Sequence, residues 1–441
     1  MSLPSRLRRR ALRSLLSVPV LLHTALVRAS TTAATAPITD FGARADGQTV
    51  NTRAIQAAID HLAARAGGTV LVPAGVFVSG ALFFKPGVHL RLDAGAVLQC
   101  STDLRHFPRQ RTRIEGHFED NFTPALINVK ACDGFRISGA GTLDGAGRPV
   151  WDLFWKMRRE APDPGNFPNL GLPRARLALI ESSRGVTVEG ITFKDSQFWN
   201  LHLYRCREVT VRGARFQVPD DYHQAPSTDG IDLDSCQDVL VEGCYFSVTD
   251  DCIAAKGSKG PKALEDTDSP PVERIHVRDC VFKRGAGVLT LGSEATIVRD
   301  VLVENCLAAG VGNVAVLKLR PDTPQRYENI VFRHITLNAD KGRLISIYPW
   351  RQYFALNGAE PPKSWVRNIR LEDFKGRFGS FGRVASNPGQ TSFENILLKD
   401  FDVRLEQAQL EGSDIDQVHY QNVRVNGEPA GAPPRPAVGK G

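Results

Sequence analysis

The sequence holds one dense group of carboxylates whose types and spacing could support catalysis. Asp229 lies in a Ser-Thr-Asp-Gly-Ile segment, and Asp250 and Asp251 lie in a Thr-Asp-Asp-Cys-Ile segment further along the chain. When the segments are aligned on Ile231 and Ile253, Asp229 and Asp251 share a position and Asp250 directly precedes it. Adjacent carboxylates raise the pKa of at least one member, so a protonated acid and an ionised base can coexist near neutral pH. The pattern favours acid/base catalysis over its alternatives, which are turn-forming aspartates and a calcium site.

Two cations follow the carboxylates at a spacing that suits an anionic substrate. Lys318 and Arg320 are two residues apart, so they are predicted to point to one side of a strand. Arg can hold a carboxylate through two parallel hydrogen bonds, and paired cations beside paired acids suit a substrate that is itself acidic. The alternative is a set of surface charges that balance nearby acids. Further cations are predicted to join the same positive rim: Lys256, Lys259, Lys262 and Arg326.

These residues need a frame that brings separate segments into register, and the chain contains a repeat that can supply it. A short motif of alternating apolar residues recurs from about residue 130 onward, and its copies between Val186 and Val418 lie 22 to 39 residues apart. Such a period, built from short β-type segments and turns, indicates a solenoid of stacked coils. We therefore predict an all-β parallel β-helix of about ten coils. The anchor residues of the copies are Phe135, Val186, Val209, Val239, Ile275, Val301, Ile330, Ile369, Ile396 and Val418.

Positions at fixed distances from each anchor are also apolar, which is what stacked coils with a shared core require. Six of the eight cysteines occupy these columns, where other copies carry Val, Ile, Phe or Ala. No Cys-x-x-Cys pair occurs, so a zinc or redox centre is disfavoured, and we expect no metal or other cofactor. Free buried thiols are favoured over disulfides. The six are Cys132, Cys206, Cys236, Cys244, Cys280 and Cys306.

The two ends of the predicted solenoid differ in composition. Residues 52–66 form an amphipathic pattern that predicts a helix, with Asn51 or Thr52 as its N-cap, closing the open end of the core. A single β-helix domain is expected over residues 37–426. Residues 427–441, rich in Gly, Pro and Ala, predict a disordered tail.

The charge of the 441-residue chain, +7, at first suggests a nucleic-acid partner. Residues 1–29 contain six Arg and no acid, and within them a basic start leads into an apolar stretch from Leu15 to Val27 and a small-residue cleavage site at Val27-Arg28-Ala29. This pattern predicts a cleavable export signal, of the twin-arginine type at Arg9-Arg10 or of the ordinary secretory type. Its removal leaves a nearly neutral chain, so we expect no nucleic-acid partner and no membrane anchor. The predicted location is periplasmic or extracellular.

Several motifs, in order along most of the chain, resemble those of glycoside hydrolase family 28, the polygalacturonase family. The resemblance implies a right-handed parallel β-helix that hydrolyses α-linked galacturonic acid with inversion. The family's Asn-Thr-Asp motif corresponds to Ser227-Thr-Asp229, and its Asp-Asp motif to Asp250-Asp251. Its Arg-Ile-Lys motif corresponds to Lys318-Leu-Arg320, with the two cations exchanged. The other matching segments are Phe41-Gly-Ala, 67–75, 141–145 and 195–202.

The resemblance also implies a role for each site residue. Asp250 would protonate the leaving glycosidic oxygen, while Asp229 and Asp251 would activate water. Inverting enzymes ordinarily hold the acid and base carboxyls about 6.5–9.5 Å apart, against about 5–5.5 Å in retaining ones. Lys318 and Arg320 would bind a uronic carboxylate. The remaining candidates for substrate binding are His202, Lys256 and Tyr348, the last with Trp350 as a sugar-stacking face or as part of the core or rim.

One departure from the family pattern opens alternatives. The family's Gly-His-Gly is Gly-Ala-Gly here, and the alignment of coils predicts that Ala286 lies beside Asp251. A pectin hydrolase remains the main hypothesis, acting at chain ends if the loop 151–173 walls the cleft, or directed to rhamnogalacturonan. A non-catalytic or weakly active protein that binds pectic oligosaccharides is the second, and a calcium-dependent pectate lyase is the third. In each case the partner is a pectic polysaccharide or galacturonate oligosaccharide, and a monomer is expected.

Overall fold

A computed structural model of the chain describes residues 34–430. Within this range the backbone forms a right-handed parallel β-helix, in which each strand pairs in parallel with the equivalent strand of the next coil. The strands lie on three faces around a shared apolar core. The predicted leader, residues 1–29, and residues 431–441 of the predicted tail lie outside the described residues.

The strands of each face follow one another along the helix axis. The first face contains Thr35–Pro37, Gly68–Val72, Val88–Leu92, Arg136–Gly139, Thr187–Glu189, Arg207–Arg212, Gln237–Glu242, Val272–Arg278, Ile297–Ala308, Arg326–Asn338, Ser364–Val384, Thr391–Glu411 and Val418–Val425. The four longest of these strands continue beyond the first face: Leu307 pairs with Val281 of the second face, and Ser380 pairs with Arg343 of the third. The second contains Asp46–Val50, Gly75–Ser79, Ala96–Cys100, Thr142–Asp144, Thr192–Lys194, Arg215–Gln217, Tyr245–Ser247 and Val281–Arg284. The third contains Leu82–Phe84, Ile127–Lys130, Ala178–Glu181, Leu201–Tyr204, Ile231–Asp234, Ile253–Lys256, Leu289–Leu291, Asn313–Leu319 and Arg343–Pro349.

The register of the first face confirms the predicted repeat. Val209 pairs with Val239, and the series continues in step to Val418 through the predicted anchors. Three strands that precede residue 130 on this face were not part of the predicted ten copies. On the second face, the rings of Phe193, Phe216 and the equivalent phenylalanines of the next two coils stack on one another, with centroids 4.8 to 5.0 Å apart. Each such buried side chain contributes about 1.5–3 kcal/mol to folding before entropy is counted.

All eight cysteines are buried and unpaired. Cys206 and Cys236 lie in core positions of adjacent coils, and their thiols contact backbone carbonyl oxygens. They therefore take the place of small apolar side chains, as the columns indicated.

The N-terminal helix α1 runs from Thr52 to Ala63, three residues shorter than predicted. Its buried face packs into the same core as the strands. The helix ends because the backbone then passes through a left-handed residue, Ala66, and through Gly67, where a Cβ would lie 2.3 Å from the carbonyl oxygen of Gly87. Asn51 occupies the N-cap position, but its side chain bonds to the backbone of Arg44 and Thr49 instead of capping the helix. The buried residues of α1 are Ile55, Ala58, Ile59 and Leu62.

Other elements interrupt or extend the coils. An antiparallel hairpin, formed by Gln110–Ile114 and His117–Phe122, is inserted between strands of the β-helix. A second α-helix, α2, spans Arg148–Glu160. Glu428–Pro429 pairs antiparallel with the last coil, so regular structure continues past residue 427, where the tail was expected to begin. No helix within residues 34–430 is long and apolar enough to cross a membrane. The short 3-10 turns are Ile38–Phe41, Leu104–His106, Pro164–Asn166, Asn169–Gly171, Ala263–Glu265 and Ile415–Gln417.

Candidate active site

The three predicted carboxylates meet on the third face, where two adjacent strands begin. Ile231 pairs with Ile253, as the sequence alignment required, so Asp229 and Asp251 are neighbours across the coils. Asp229, Asp250 and Asp251 each place a carboxylate oxygen within 4.8 Å of the other two. Asp229 and Asp251 are only 3% and 2% exposed, while Asp250 is half-buried.

Burial and mutual repulsion raise the pKa of two of these three carboxyls, those of Asp229 and Asp250. Burial, and after it the charge of Asp250, raises the pKa of Asp229 well above the ordinary value. Burial and then the charge of Asp251 raise the pKa of Asp250. A raised pKa keeps a carboxyl protonated to higher pH, so the group can hold a proton for transfer under conditions where an isolated Asp would have lost it.

Both carboxylate oxygens of Asp251 accept hydrogen bonds from side chains of the coils that follow. The Lys318 ammonium lies 3.1 Å from Oδ2, and the Thr290 hydroxyl donates to Oδ1 at 2.6 Å. Thr290 belongs to the Leu289–Leu291 strand of the next coil, and sequence reasoning missed it. These two bonds fix the orientation of the Asp251 carboxylate in the cleft.

Ala286 lies one position away from where it was expected. Its amide donates to the carbonyl oxygen of Asp250 at 2.8 Å, and its own carbonyl accepts from the side chain of Asn313. Gly287 is the residue that stands beside Asp251: a Cβ there would lie 3.6 Å from Asp251 Oδ1 and 2.7 Å from Thr290 Oγ1. The expectation that Ala286 adjoins Asp251 is therefore replaced by contact with Asp250 through the backbone.

Two lysines bring positive charge to the carboxylates. Lys256 Nζ lies 3.7 Å from Asp229 Oδ2, 3.8 Å from Asp232 Oδ1 and 3.9 Å from Glu294 Oε2. Burial opposes its charged form, yet these carboxylates raise the pKa of Lys256 well above the ordinary value. Lys256 also lies over the ring of Trp199 and Lys318 over that of Trp350, with Nζ to centroid distances of 4.9 and 4.7 Å.

The cleft above these groups has a volume of about 500 Å³. Phe154 and Trp155 of α2 form part of one wall, and Trp350 and Tyr353 form part of the other. The Tyr353 hydroxyl donates to the carbonyl oxygen of Phe167 at 2.6 Å and so joins the two walls. The segment predicted as a loop over residues 151–173 therefore does border the cleft, but residues 151–160 of it belong to α2 and are helical.

Arg320 supports the cleft from below. It is 2% exposed, and its guanidinium makes two hydrogen bonds to Asp322, at 2.9 and 2.8 Å. Its remaining donors reach the carbonyl oxygens of Gln352 and Tyr353. The strand ends at Leu319, so the alternation that was expected to place Arg320 beside Lys318 no longer applies. Among the described residues that line the cleft, Lys318 is present and Arg320 is not.

His202 and Tyr348 also lie outside the cleft lining. His202 is fully buried, accepts at Nδ1 from Arg176 at 2.7 Å, and faces Asp234 with Nε2 at 3.4 Å. Burial lowers the pKa of His202 to about 4, so it is neutral near pH 7. Tyr348 pairs with Lys318 in the strand register, and Arg383 lies over its ring at 3.9 Å, while Trp350 supplies the aromatic surface of the cleft.

The comparisons agree with this fold. A family model, Glycosyl hydrolases family 28, matches residues 65–424. A probable polygalacturonase of Vitis vinifera is 28% identical over 288 residues, 62% of this chain and 54% of that protein. An exopolygalacturonase of Zea mays is 25% identical over 313 residues, 66% of each chain, so this chain spans between half and two thirds of these curated relatives.

Solved structures show the same architecture. The exopolygalacturonase of Thermotoga maritima superposes with a TM-score of 0.66 at 22% identity, covering 90% of this chain and 92% of that one. The endo-xylogalacturonan hydrolase of Aspergillus tubingensis also gives 0.66, at 16% identity, covering 89% and 100%. With the family model matched over most of its length, the chain belongs to glycosyl hydrolases family 28.

Proposed function

We propose that this protein hydrolyses α-linked galacturonic acid in pectic polysaccharides. The observation that carries the proposal is the group of three carboxylates within 4.8 Å of one another, flanked by Lys256 and Lys318 on the floor of a cleft. The acids can move protons, and the lysines can hold the carboxylate of a uronic acid. Relatives named polygalacturonase and exopolygalacturonase support this substrate class.

The arrangement suggests how the bond is cut. Asp250 gives its proton to the leaving glycosidic oxygen as the bond from that oxygen to the anomeric carbon breaks. A water oxygen forms the new bond to the anomeric carbon, and its proton passes to Asp251, whose two carboxylate oxygens are held by Lys318 and Thr290. Asp229, beside Lys256, helps to orient the water. The carboxylates are closer than the ordinary inverting separation of about 6.5–9.5 Å, so inversion is supported by the family alone.

Release of reducing ends tests this function against its two rivals. Polygalacturonate, galacturonate oligomers and rhamnogalacturonan would be incubated with the protein, with and without a chelator. We expect new reducing ends from a galacturonate substrate in both conditions. Binding without new reducing ends would establish the non-catalytic alternative, and an unsaturated product that disappears with chelator would establish a lyase. Two ammonium groups beside the carboxylates disfavour a calcium site there, which argues against the lyase.

The missing family histidine is expected to matter little, because both oxygens of Asp251 already have donors. Ala286→His should change kcat by less than about threefold, whereas Thr290→Val should lower it about ten- to a hundredfold by removing a hydrogen bond to a charged carboxylate. Steady-state kinetics on polygalacturonate measure both effects. Thr336→Val, at an exposed strand position, is the matched control. A large gain in rate from Ala286→His would instead indicate a site that is defective without the imidazole.

The joined walls of the cleft favour attack at chain ends. Tyr353→Phe removes only the bond to Phe167, and Tyr353→Ala also removes the ring, so both variants should release longer oligomers than the wild type. The loss of viscosity per bond cut should rise in the order wild type, Phe, Ala. Tyr245→Phe, on the second face, is the control. An unchanged product distribution in both variants would show that the bridge does not determine the mode of attack.

A further inference from the structure

The antiparallel hairpin is fixed over the end of the cleft by buried charges. Arg113 donates from Nε to Asp234 Oδ2 at 3.0 Å and from Nη2 to the carbonyl oxygen of Gly257 at 3.0 Å. Arg176 donates to the carbonyl oxygen of Arg113 at 2.7 Å and to the Thr112 hydroxyl at 2.6 Å. Since these arginines are almost fully buried, the hairpin has a defined position relative to the third face.

The hairpin tip places one carboxylate beside another. Gly116 has a φ of 78°, and a Cβ there would lie 2.9 Å from the Cβ of Glu294, so only glycine permits this approach. The preceding residue, Glu115, lines the cleft together with Glu294. Asn169 donates to Glu115 Oε1 at 2.6 Å, and Arg174 in turn donates to Asn169 Oδ1 at 2.7 Å.

These two glutamates border the catalytic group. The ammonium of Lys256 lies between Glu294, at 3.9 Å, and Asp229, at 3.7 Å. Although burial opposes it, the charges of Lys256, Lys259 and Arg320 lower the pKa of Glu294 to about 2. Burial and then the charge of Glu294 raise the pKa of Glu115. The pair therefore offers an ionised acceptor and a carboxyl that retains its proton more readily.

Glu294 is paired with Lys256 at 3.9 Å and with Arg320 at 3.8 Å, so it offers a charged acceptor to which a sugar hydroxyl can donate, whereas a uronic carboxylate placed against it would be repelled. In a cleft whose walls are joined, the free 4-hydroxyl is the group that distinguishes a terminal galacturonate from an internal one. We propose that Glu294 and Glu115 bind this terminal hydroxyl and so determine which residue enters the site. The inference rests on the proposed function and names the groups that would set its specificity.

Binding affinities test this specificity separately from turnover. The Asp250→Asn variant would be titrated with a galacturonate trimer and with the trimer whose terminal residue is 4,5-unsaturated and lacks the 4-hydroxyl. We expect the saturated trimer to bind at least about tenfold more tightly. In the complex with the unsaturated trimer, the groups that bind the 4-hydroxyl have no hydrogen-bond partner. Adding Glu294→Gln or Glu115→Ala should reduce that ratio to less than about threefold. The ring shape of the unsaturated sugar affects all variants alike, so the change in ratio reports the hydroxyl contact.

Glu119→Gln is the matched control, because Glu119 lies on the same hairpin but bonds to His117 instead of lining the cleft. It should leave the ratio of affinities as it is in Asp250→Asn alone. The proposal is overturned if Asp250→Asn binds both trimers equally, or if both glutamate variants keep the original ratio. Failure of the hydrolase function would appear separately, as absence of new reducing ends from the wild-type protein with the affinity ratio intact.

Discussion

Replacing Asp250 by Asn is expected to lower kcat on polygalacturonate by about a hundred- to ten-thousandfold, with little change in KM. The amide keeps the shape of the side chain, and its oxygen can still accept from the amide of Asp251, but it has no proton to give the leaving oxygen. Initial rates of reducing-end release measure the loss. Among the three carboxyls, Asp250 is the most exposed to the cleft, and burial and the neighbouring Asp251 raise its pKa, which suits it to act as the acid.

A substrate with a good leaving group separates the acid role from a structural one. An aryl galacturonide needs little protonation of its leaving oxygen, so Asp250→Asn should retain much more of its activity on that substrate than on polygalacturonate. Asp220→Asn, at an exposed carboxylate paired with Lys283, is the control and should match the wild type. Retention of activity within about tenfold on polygalacturonate, or equal losses on both substrates, would remove Asp250 from the acid role.

Replacing Lys318 by Met is expected to lower kcat/KM by about a hundred- to a thousandfold. The change removes the ammonium 3.1 Å from Asp251 Oδ2, leaving a buried carboxylate without its charged partner. It also removes one of the two lysines that line the cleft and could hold the substrate carboxylate, and the aliphatic Met can still pack against Trp350. Lys283→Met, an exposed lysine outside the cleft, is the matched control.

The same variant should shift the pH dependence in a defined direction. The charge of Lys318 lowers the pKa of Asp250, so its removal raises that pKa further. Asp250 must be protonated to act as the acid, and activity is lost as pH rises through its pKa. The alkaline limb of kcat/KM should therefore move to higher pH in Lys318→Met. A limb that stays in place, or moves to lower pH, would show that another group limits activity there.

The features that follow from local repetition could be predicted from the sequence. Alternating apolar residues fix which face of each strand is buried, and the repeat aligned Ile231 with Ile253, which was enough to bring Asp229 and Asp251 together. The same reasoning located Lys318 on the floor of the cleft. The first three strands of the first face were not predicted, because their sequences do not match the motif that recurs in the later coils.

The remaining parts of the site depend on contacts that no local pattern reveals. Arg320 follows the last residue of its strand, where alternation ends and a nearby Asp322 captures the guanidinium. Ala286 missed its expected neighbour because the coil register places Gly287 at that position. Glu115 reaches the cleft from an inserted hairpin, anchored by an Arg113 contact to Asp234 across 121 residues of sequence. A glutamate at a Gly-containing hairpin tip was the only sequence signal for it.

The products formed from a galacturonate trimer in the presence of a chelator, followed by proton NMR from the first turnover, test the proposed chemistry most directly. Hydrolysis with inversion at the α-linkage requires saturated galacturonate whose new reducing end first appears as the β-anomer and then mutarotates. The signal should be absent in Asp250→Asn at the same protein concentration. A new reducing end that first appears as the α-anomer would contradict inversion, and an unsaturated product, or no cleavage by the wild-type protein, would contradict the hydrolase itself.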